Sequence, residues 1–165
     1  MAELSQFLEL FKVQPGYKYI QVTTEVDETT TALYELLTNN KAEMRIAYYT
    51  EEEMPNLSED YPLATIQHIK NFNLPYRALP RDNDIVIYKD IFSKHNKQSL
   101  LLKTAYKTLA NTADIIIMEK KGVLDIQEMI ELFEKFEYRA PNYIDILDGY
   151  DIFMAKKLHM WGNGL

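Results

Sequence analysis

Two short apolar runs with a long helical stretch between them constrain this chain more than any other feature. Ile85, Val86, Ile87 and Tyr88 form the first run, and Ile115, Ile116, Ile117 and Met118 the second, each with charged residues on both sides. Neither alternates apolar with polar residues, so neither suits a strand with one wet face. Continuous apolar runs of this length suit strands buried on both faces, as in a parallel sheet covered by helices. The segment between them is too long for a hairpin and reads as a helix, which makes the unit a right-handed βαβ crossover.

A chain of 165 residues is expected to form one domain, 1–165, with an N-terminal helical segment in 1–14 and a tail in 159–165. Its 47% hydrophobic and 26% charged residues fit a packed core and argue against disorder. No apolar run approaches the ~20 residues needed to cross a bilayer, and no basic segment leads into an apolar one near the start. The expectation is a cytoplasmic protein with no membrane partner. Cysteine is absent, which removes disulfides, thiolate metal sites and cysteine nucleophiles together. A net charge of -7 gives no general attraction to nucleic acid, so no nucleic-acid partner is expected. Lys94, Lys97, Lys103 and Lys107 lie on or near one predicted helix and read as its solvated face.

Along the chain, Leu4, Phe7, Leu8 and Phe11 recur at helical spacing and predict a helix over 3–12, ended by Pro15-Gly16. Residues 17–23 are a strand candidate, rich in aromatic and β-branched side chains. A helix over 28–37 follows, with Asp27 as its N-cap, and then a strand over 44–49. Leu63, Ile66 and Ile69 predict another helix, from 60 or 62 to 71. A weak strand over 74–79 carries Pro75, which belongs at a sheet edge. Residues 84–88 and 114–119 are the two defining strands, separated by a helix from 99 to about 111. Asp125, with Glu128 three residues on, opens a final helix carrying Met129, Ile130, Phe133 and Phe136. Residues 143–147, the Asp148-Gly149 turn and 150–158 then read as a β-hairpin. The expected class is α/β: a three-layer sandwich with a mostly parallel, Rossmann-like sheet and a C-terminal antiparallel hairpin.

This order of elements resembles the class I S-adenosylmethionine-dependent methyltransferase family, whose last two strands form an antiparallel pair. Residues 79–87 (LPRDNDIVI) look like the family's approach to its fourth strand, and 102–113 (LKTAYKTLANTA) match its next helix and turn. The family's cofactor loop after the first strand is rich in glycine, whereas here it reads Thr23-Thr24-Glu25-Val26-Asp27-Glu28. Side chains would crowd such a loop, and any positive-φ position in it would be strained. The resemblance implies an acidic residue near the end of the second strand for the ribose, for which Glu51 stands near enough. Where the family often has an Asp near the adenine, this chain offers Arg77.

In an open α/β sheet the ligand crevice lies beyond the carboxyl ends of the strands, where strand order reverses. That places Thr23, Thr24 and Glu25 on one side and Lys89, Asp90 and Phe92 on the other, with Glu51 and Arg77 on the rim. Thr23, Thr24, Glu25, Glu51 and Arg77 are the cofactor candidates for S-adenosylmethionine, though Glu51 also reads as a solvated loop acid and Arg77 as a surface ion-pair former. Lys89, Asp90 and His95 are the acid–base candidates near a strand end, with Asp90 and His95 taken as the catalytic pair, since a titrating group near neutrality suits that work; His95 also reads as a surface or capping histidine. His68 and His159 fall elsewhere, and three scattered histidines give no metal-ligand spacing. Of Tyr48 and Tyr49, one must point inward by alternation. Trp161 in the tail reads as docked on its own domain, or else as an anchor for a partner chain. Two functions stay open. One is a methyltransferase whose acceptor, small molecule or protein, is small or held with another subunit, in a homo-oligomer or beside a partner subunit. The other is a non-catalytic module of the same fold that acts through protein–protein contact.

Overall fold

The computed structural model describes residues 2–158, with side chains from residue 4; His159 and Trp161 lie outside the described residues. The elements run α1 (Ala2–Leu8), β1 (Lys18–Thr23), α2 (Glu28–Asn39), β2 (Glu43–Tyr49), α3 (Leu57–Asp60), β3 (Thr65–Ile69), β4 (Asn83–Lys89), α4 (Gln98–Thr108), β5 (Leu109–Lys120), α5 (Ile126–Lys135), β6 (Arg139–Leu147) and β7 (Tyr150–Lys156). The strands form one sheet in the order β3-β2-β1-β4-β5-β7-β6. The first five are parallel to one another, and β7 joins β5 and β6 antiparallel. The α/β class, the parallel body and the terminal hairpin are therefore as the sequence implies.

The two apolar runs are central strands buried on both faces. From β4, Val86 and Tyr88 enter one core cluster with Leu101, Leu102 and Ala105 of α4 and Met129 and Phe133 of α5. Ile85 and Ile87 enter the opposite cluster with Phe7 of α1 and Leu33 and Leu37 of α2. β5 divides likewise, with Ile115 and Ile117 on the first face and Ile116 and Met118 on the second. Three buried tyrosines also fasten α4: Tyr88 donates to the Leu101 carbonyl at 2.6 Å, Tyr138 donates to that of Leu102 at 2.8 Å, and the hydroxyls of Tyr76 and Thr108 are 2.5 Å apart.

Two expectations fail together. The helix from 60 or 62 to 71 is replaced by the four-residue α3 and the edge strand β3, and 74–79 is not a strand. The spacing of Ile66 and Ile69 imitates a helix stripe, but in a strand residues three apart point to opposite faces. Ile66 packs into the α1–α2 cluster and Ile69 into the α4–α5 cluster, while Leu63, expected to be buried, is 73% exposed. Thr65, Ile66 and Ile69 are β-branched and pair in register with Arg45, Ile46 and Tyr49, so tertiary pairing outweighs the helical spacing. The segment over 74–79 carries Pro75, and residue 80 is a second proline, so it cannot donate along a full ladder. One residue of it is held beside β3 instead: the Gln67 side chain accepts from Arg77 N at 2.9 Å and donates to Arg77 O at 2.5 Å.

At the opposite margin β6 is irregular. Its pairing with β7 shifts between Arg139 and Asn142 and again between Ile144 and Leu147, and Ala140 has φ 51° beside Pro141. The hairpin turn takes its left-handed position at Gly149, φ 85°. None of the described helices is long and apolar enough to cross a membrane.

Candidate functional site

Strand order reverses between β1 and β4, so the crevice position lies at their carboxyl ends, as expected from the sequence. β1 closes on Thr23, whose hydroxyl donates to Glu25 O at 2.7 Å and accepts from Glu25 N at 3.1 Å. That pair of bonds folds the chain at once towards α2. Asp27 then caps the helix, accepting from Thr29 N at 2.9 Å and Thr30 N at 3.4 Å, while the Thr30 hydroxyl accepts from Asp27 N at 3.2 Å. No residue from 23 to 27 adopts positive φ. A loop with no glycine thus solves its geometry with side-chain bonds and a cap.

β4 ends on Lys89, whose side chain is 0% exposed. Its Nζ lies 2.7 Å from Glu25 O, 3.0 Å from Asp90 Oδ2, 3.3 Å from Asp27 Oδ2 and 3.4 Å from Thr23 Oγ1. Burying an ammonium is unfavourable unless it is paired and hydrogen-bonded, and here both conditions hold. Asp90 turns the chain in the left-handed region at φ 59°, with its N–H donating to Met118 O at 3.0 Å. The Thr24 hydroxyl donates to Asp90 O at 3.1 Å, and the Tyr150 hydroxyl to Asp90 Oδ2 at 2.6 Å. Burial pushes the Asp90 carboxyl upward, but the bond from Tyr150 and the Lys89 ammonium outweigh it and leave it below its ordinary value. Burial, and then the bond to Asp90, push the Tyr150 phenol far up, so it remains a neutral donor. Lys94 Nζ stands 3.4 Å from Thr24 Oγ1, and Lys120 Nζ 4.9 Å from the Tyr150 ring.

The neighbouring space, between the ends of β2 and β4, holds a second cluster. Tyr49, the inward tyrosine of its pair, is 1% exposed, and its ring lies 5.4 Å from that of Phe72 and 5.7 Å from that of His95. His95 is itself buried. Its Nε2 is 2.8 Å from Leu74 O and its Nδ1 accepts from Lys97 N at 2.9 Å, which assigns the proton to Nε2. The Tyr49 hydroxyl also donates to Leu74 O. Phe92 is buried, 1% exposed.

Thr23, Thr24, Glu25 and Asp90 are therefore brought together, around Lys89. His95 belongs to the aromatic cluster and makes no bond to Asp90. Glu51 and Arg77 are exposed, and neither forms an ion pair among the described residues. Sequence reasoning passed over Tyr150, because its reach to Asp90 depends on the β5–β7 register, in which Tyr150 faces Lys120. Glu119 was also passed over: buried at the end of β5, it accepts from Ser93 N at 3.1 Å and Ser93 Oγ at 2.8 Å and so holds the loop after β4. Its position at the last turn of a buried run was a usable signal.

No family sequence model matches the chain, and no curated protein sequence does either. Solved structures do. A SAM dependent methyltransferase from Aquifex aeolicus superposes with a TM-score of 0.76 at 15% identity, covering 94% of this chain and 89% of that one. The Haemonchus contortus phosphoethanolamine N-methyltransferase 2, in complex with S-adenosyl-L-methionine, gives 0.72 at 8% identity over 95% of this chain and 52% of its own. The fold is that of the class I methyltransferases. The [4+2]-cyclase SpnF shares this methyltransferase fold, with a TM-score of 0.69 at 10% identity over 94% of this chain and 79% of its own. Likeness at these identities concerns the fold alone.

The cofactor that the methyltransferase fold implies is a sulfonium cation carrying an adenosine group. At the β1–β4 mouth of this chain a buried ammonium already takes the loop carbonyl and the carboxylates of Asp27 and Asp90, so a sulfonium would find these acceptors occupied. The rings of Tyr49, Phe72 and His95 pack together on the β2 side. These residues do not fit that cofactor.

Proposed function

We propose that this chain is a non-catalytic methyltransferase-fold module that acts through protein–protein contact. The observation that carries the reading is Lys89: its buried ammonium ties the Glu25 carbonyl to the carboxylates of Asp27 and Asp90 across the mouth, where the resemblance would put the methionine end of the cofactor. The loop of 23–27 is fitted to that lysine by its own bonds, so the closure is built into β1, α2 and β4 alike. At the same end of the sheet stand Leu74, Val123 and Ile126, 52%, 50% and 41% exposed. The reading assigns that partly apolar end to a partner protein.

Titration calorimetry with S-adenosylmethionine and with its demethylated product tests it. The expected result is no heat at about millimolar ligand and no rise in Tm, because a ligand that binds only the folded chain must raise its stability by mass action. Micromolar binding of either would overturn the reading. It would restore an enzyme in which Thr23, Thr24 and Glu25 hold the methionine end, Glu51 the ribose and Arg77 the rim, with Asp90 and His95 at the acceptor.

A further inference from the structure

The opposite end of the sheet carries a different feature, a cavity of about 290 Å³ at the amino ends of β1, β4 and β5. Its polar lining is Lys12, Tyr17, Tyr19, Asp84, Asp114 and Lys156, and Leu10 and Ile85 supply apolar wall. Tyr19 is 2% exposed, yet its hydroxyl has no hydrogen-bond partner among the described residues. The side chain is buried, but its hydroxyl opens on the cavity, where it is left to meet whatever enters. Burial first, then the charges of Asp84 and Asp114, hold that phenol well above its ordinary pKa, so it stays neutral in a negative field.

The remaining capacity of the lining can be counted. Asp84 Oδ2 accepts from Lys18 N at 2.8 Å, which leaves Oδ1. Asp114 Oδ1 accepts from Lys156 Nζ at 3.0 Å, which leaves Oδ2, and Lys156 also donates to Thr112 O at 3.0 Å. Lys12 has no ion pair among the described residues. Among the described residues three acceptors of the lining are thus unbonded, namely the Tyr19 hydroxyl and one oxygen of each aspartate, and the Lys12 ammonium is unpaired. A primary ammonium has three donors to give. The two aspartates and two lysines cancel in charge, which selects against a polyamine and against a dicarboxylate.

We propose that this cavity binds a free amino acid, its ammonium on Tyr19, Asp84 and Asp114 and its carboxylate facing Lys12. The size suits so small a ligand, since it lies at the lower end of the roughly 300–1,000 Å³ range of small-molecule sites. The site shares no residue with the Lys89 mouth, and it stands or falls independently of the non-catalytic reading.

The test is a thermal-shift screen of the standard L-amino acids on the whole chain, followed by calorimetry on the strongest. At about ten times its Kd a true ligand raises Tm by about 3–6 °C. The N-acetyl form of that amino acid, which lacks the ammonium, should give no shift, and its decarboxylated amine should bind at least about tenfold more weakly. Tyr19→Phe should weaken binding about tenfold or more without lowering the Tm of the free protein, because the hydroxyl it removes has no partner. Lys12→Ala, at an exposed residue, should weaken binding while leaving the fold untouched. No shift with any amino acid would overturn the proposal. So would equal binding of the acetylated form or the amine, or undiminished affinity in both variants.

Discussion

At the scale of single residues, Lys89 decides what the mouth of this fold can hold. Replacing it with Met would leave the carboxylates of Asp27 and Asp90 facing each other without their cation. Removing one member of a buried ion pair destabilises by about 3–5 kcal/mol. Because Asp27 remains partly exposed, the lower end is expected for Lys89→Met, measured by urea unfolding, and a loss under about 1 kcal/mol would mean the pairing contributes little. Adding Asp90→Asn to that variant should recover part of the loss, since Asn tolerates the left-handed backbone that residue 90 adopts. Lys89 was legible in the sequence as a crevice residue at the end of the run of Ile85 to Tyr88, but its full burial was not. The role of Tyr150 was not, because nothing local to a residue after a turn reveals which strand end it will face. His95 was legible only as a candidate base; its Nδ1 bond to Lys97 N is local, but the Nε2 contact with Leu74 O required the path of the 70–81 segment.

At the scale of elements, α2 is the part most dependent on one side chain. Asp27 caps it and also meets Lys89 at 3.3 Å, so one carboxylate serves both helix and mouth. Asp27→Ala should therefore reduce stability by about 1–2 kcal/mol, the upper half of the range for losing an N-cap. Chemical denaturation checks this, and a smaller effect than at Asp125, which caps α5 alone, would contradict the double role. Caps, turns and doubly buried strands were readable because each rests on local chemistry: an Asp before a helix, a Gly after an Asp, an unbroken apolar run. β3 was misread for an equally physical reason. Five residues with two isoleucines three apart satisfy helix and strand patterns alike, and only pairing with β2 distinguishes them.

For the molecule as a whole, three carboxylates link stability to pH. The bond from Lys18, helped by Arg45, holds Asp82 below its ordinary value. In Asp90 and Asp151 burial acts upward, and bonds from Tyr150 and Tyr143 with the nearby lysines prevail over it. A folded value below the unfolded one means stability that is complete above the unfolded carboxyl value of about 3.9 and is lost as pH falls from there through the folded values. Calorimetric Tm should stay level from neutrality to about pH 5 and drop below about pH 4, with a shallower drop in the Asp82→Asn, Asp90→Asn, Asp151→Asn variant. An equal drop in both would place the acid sensitivity elsewhere. The margins of the sheet also act on this scale. On one side the amide of Gln67 occupies the backbone of Arg77 as a neighbouring strand would, and on the other the kink at Ala140 and Pro141 breaks the line of donors. A sheet interrupted in this way on both flanks is a poor template for strand addition, so amyloid-like stacking of this chain is expected to start more readily once one flank peels open.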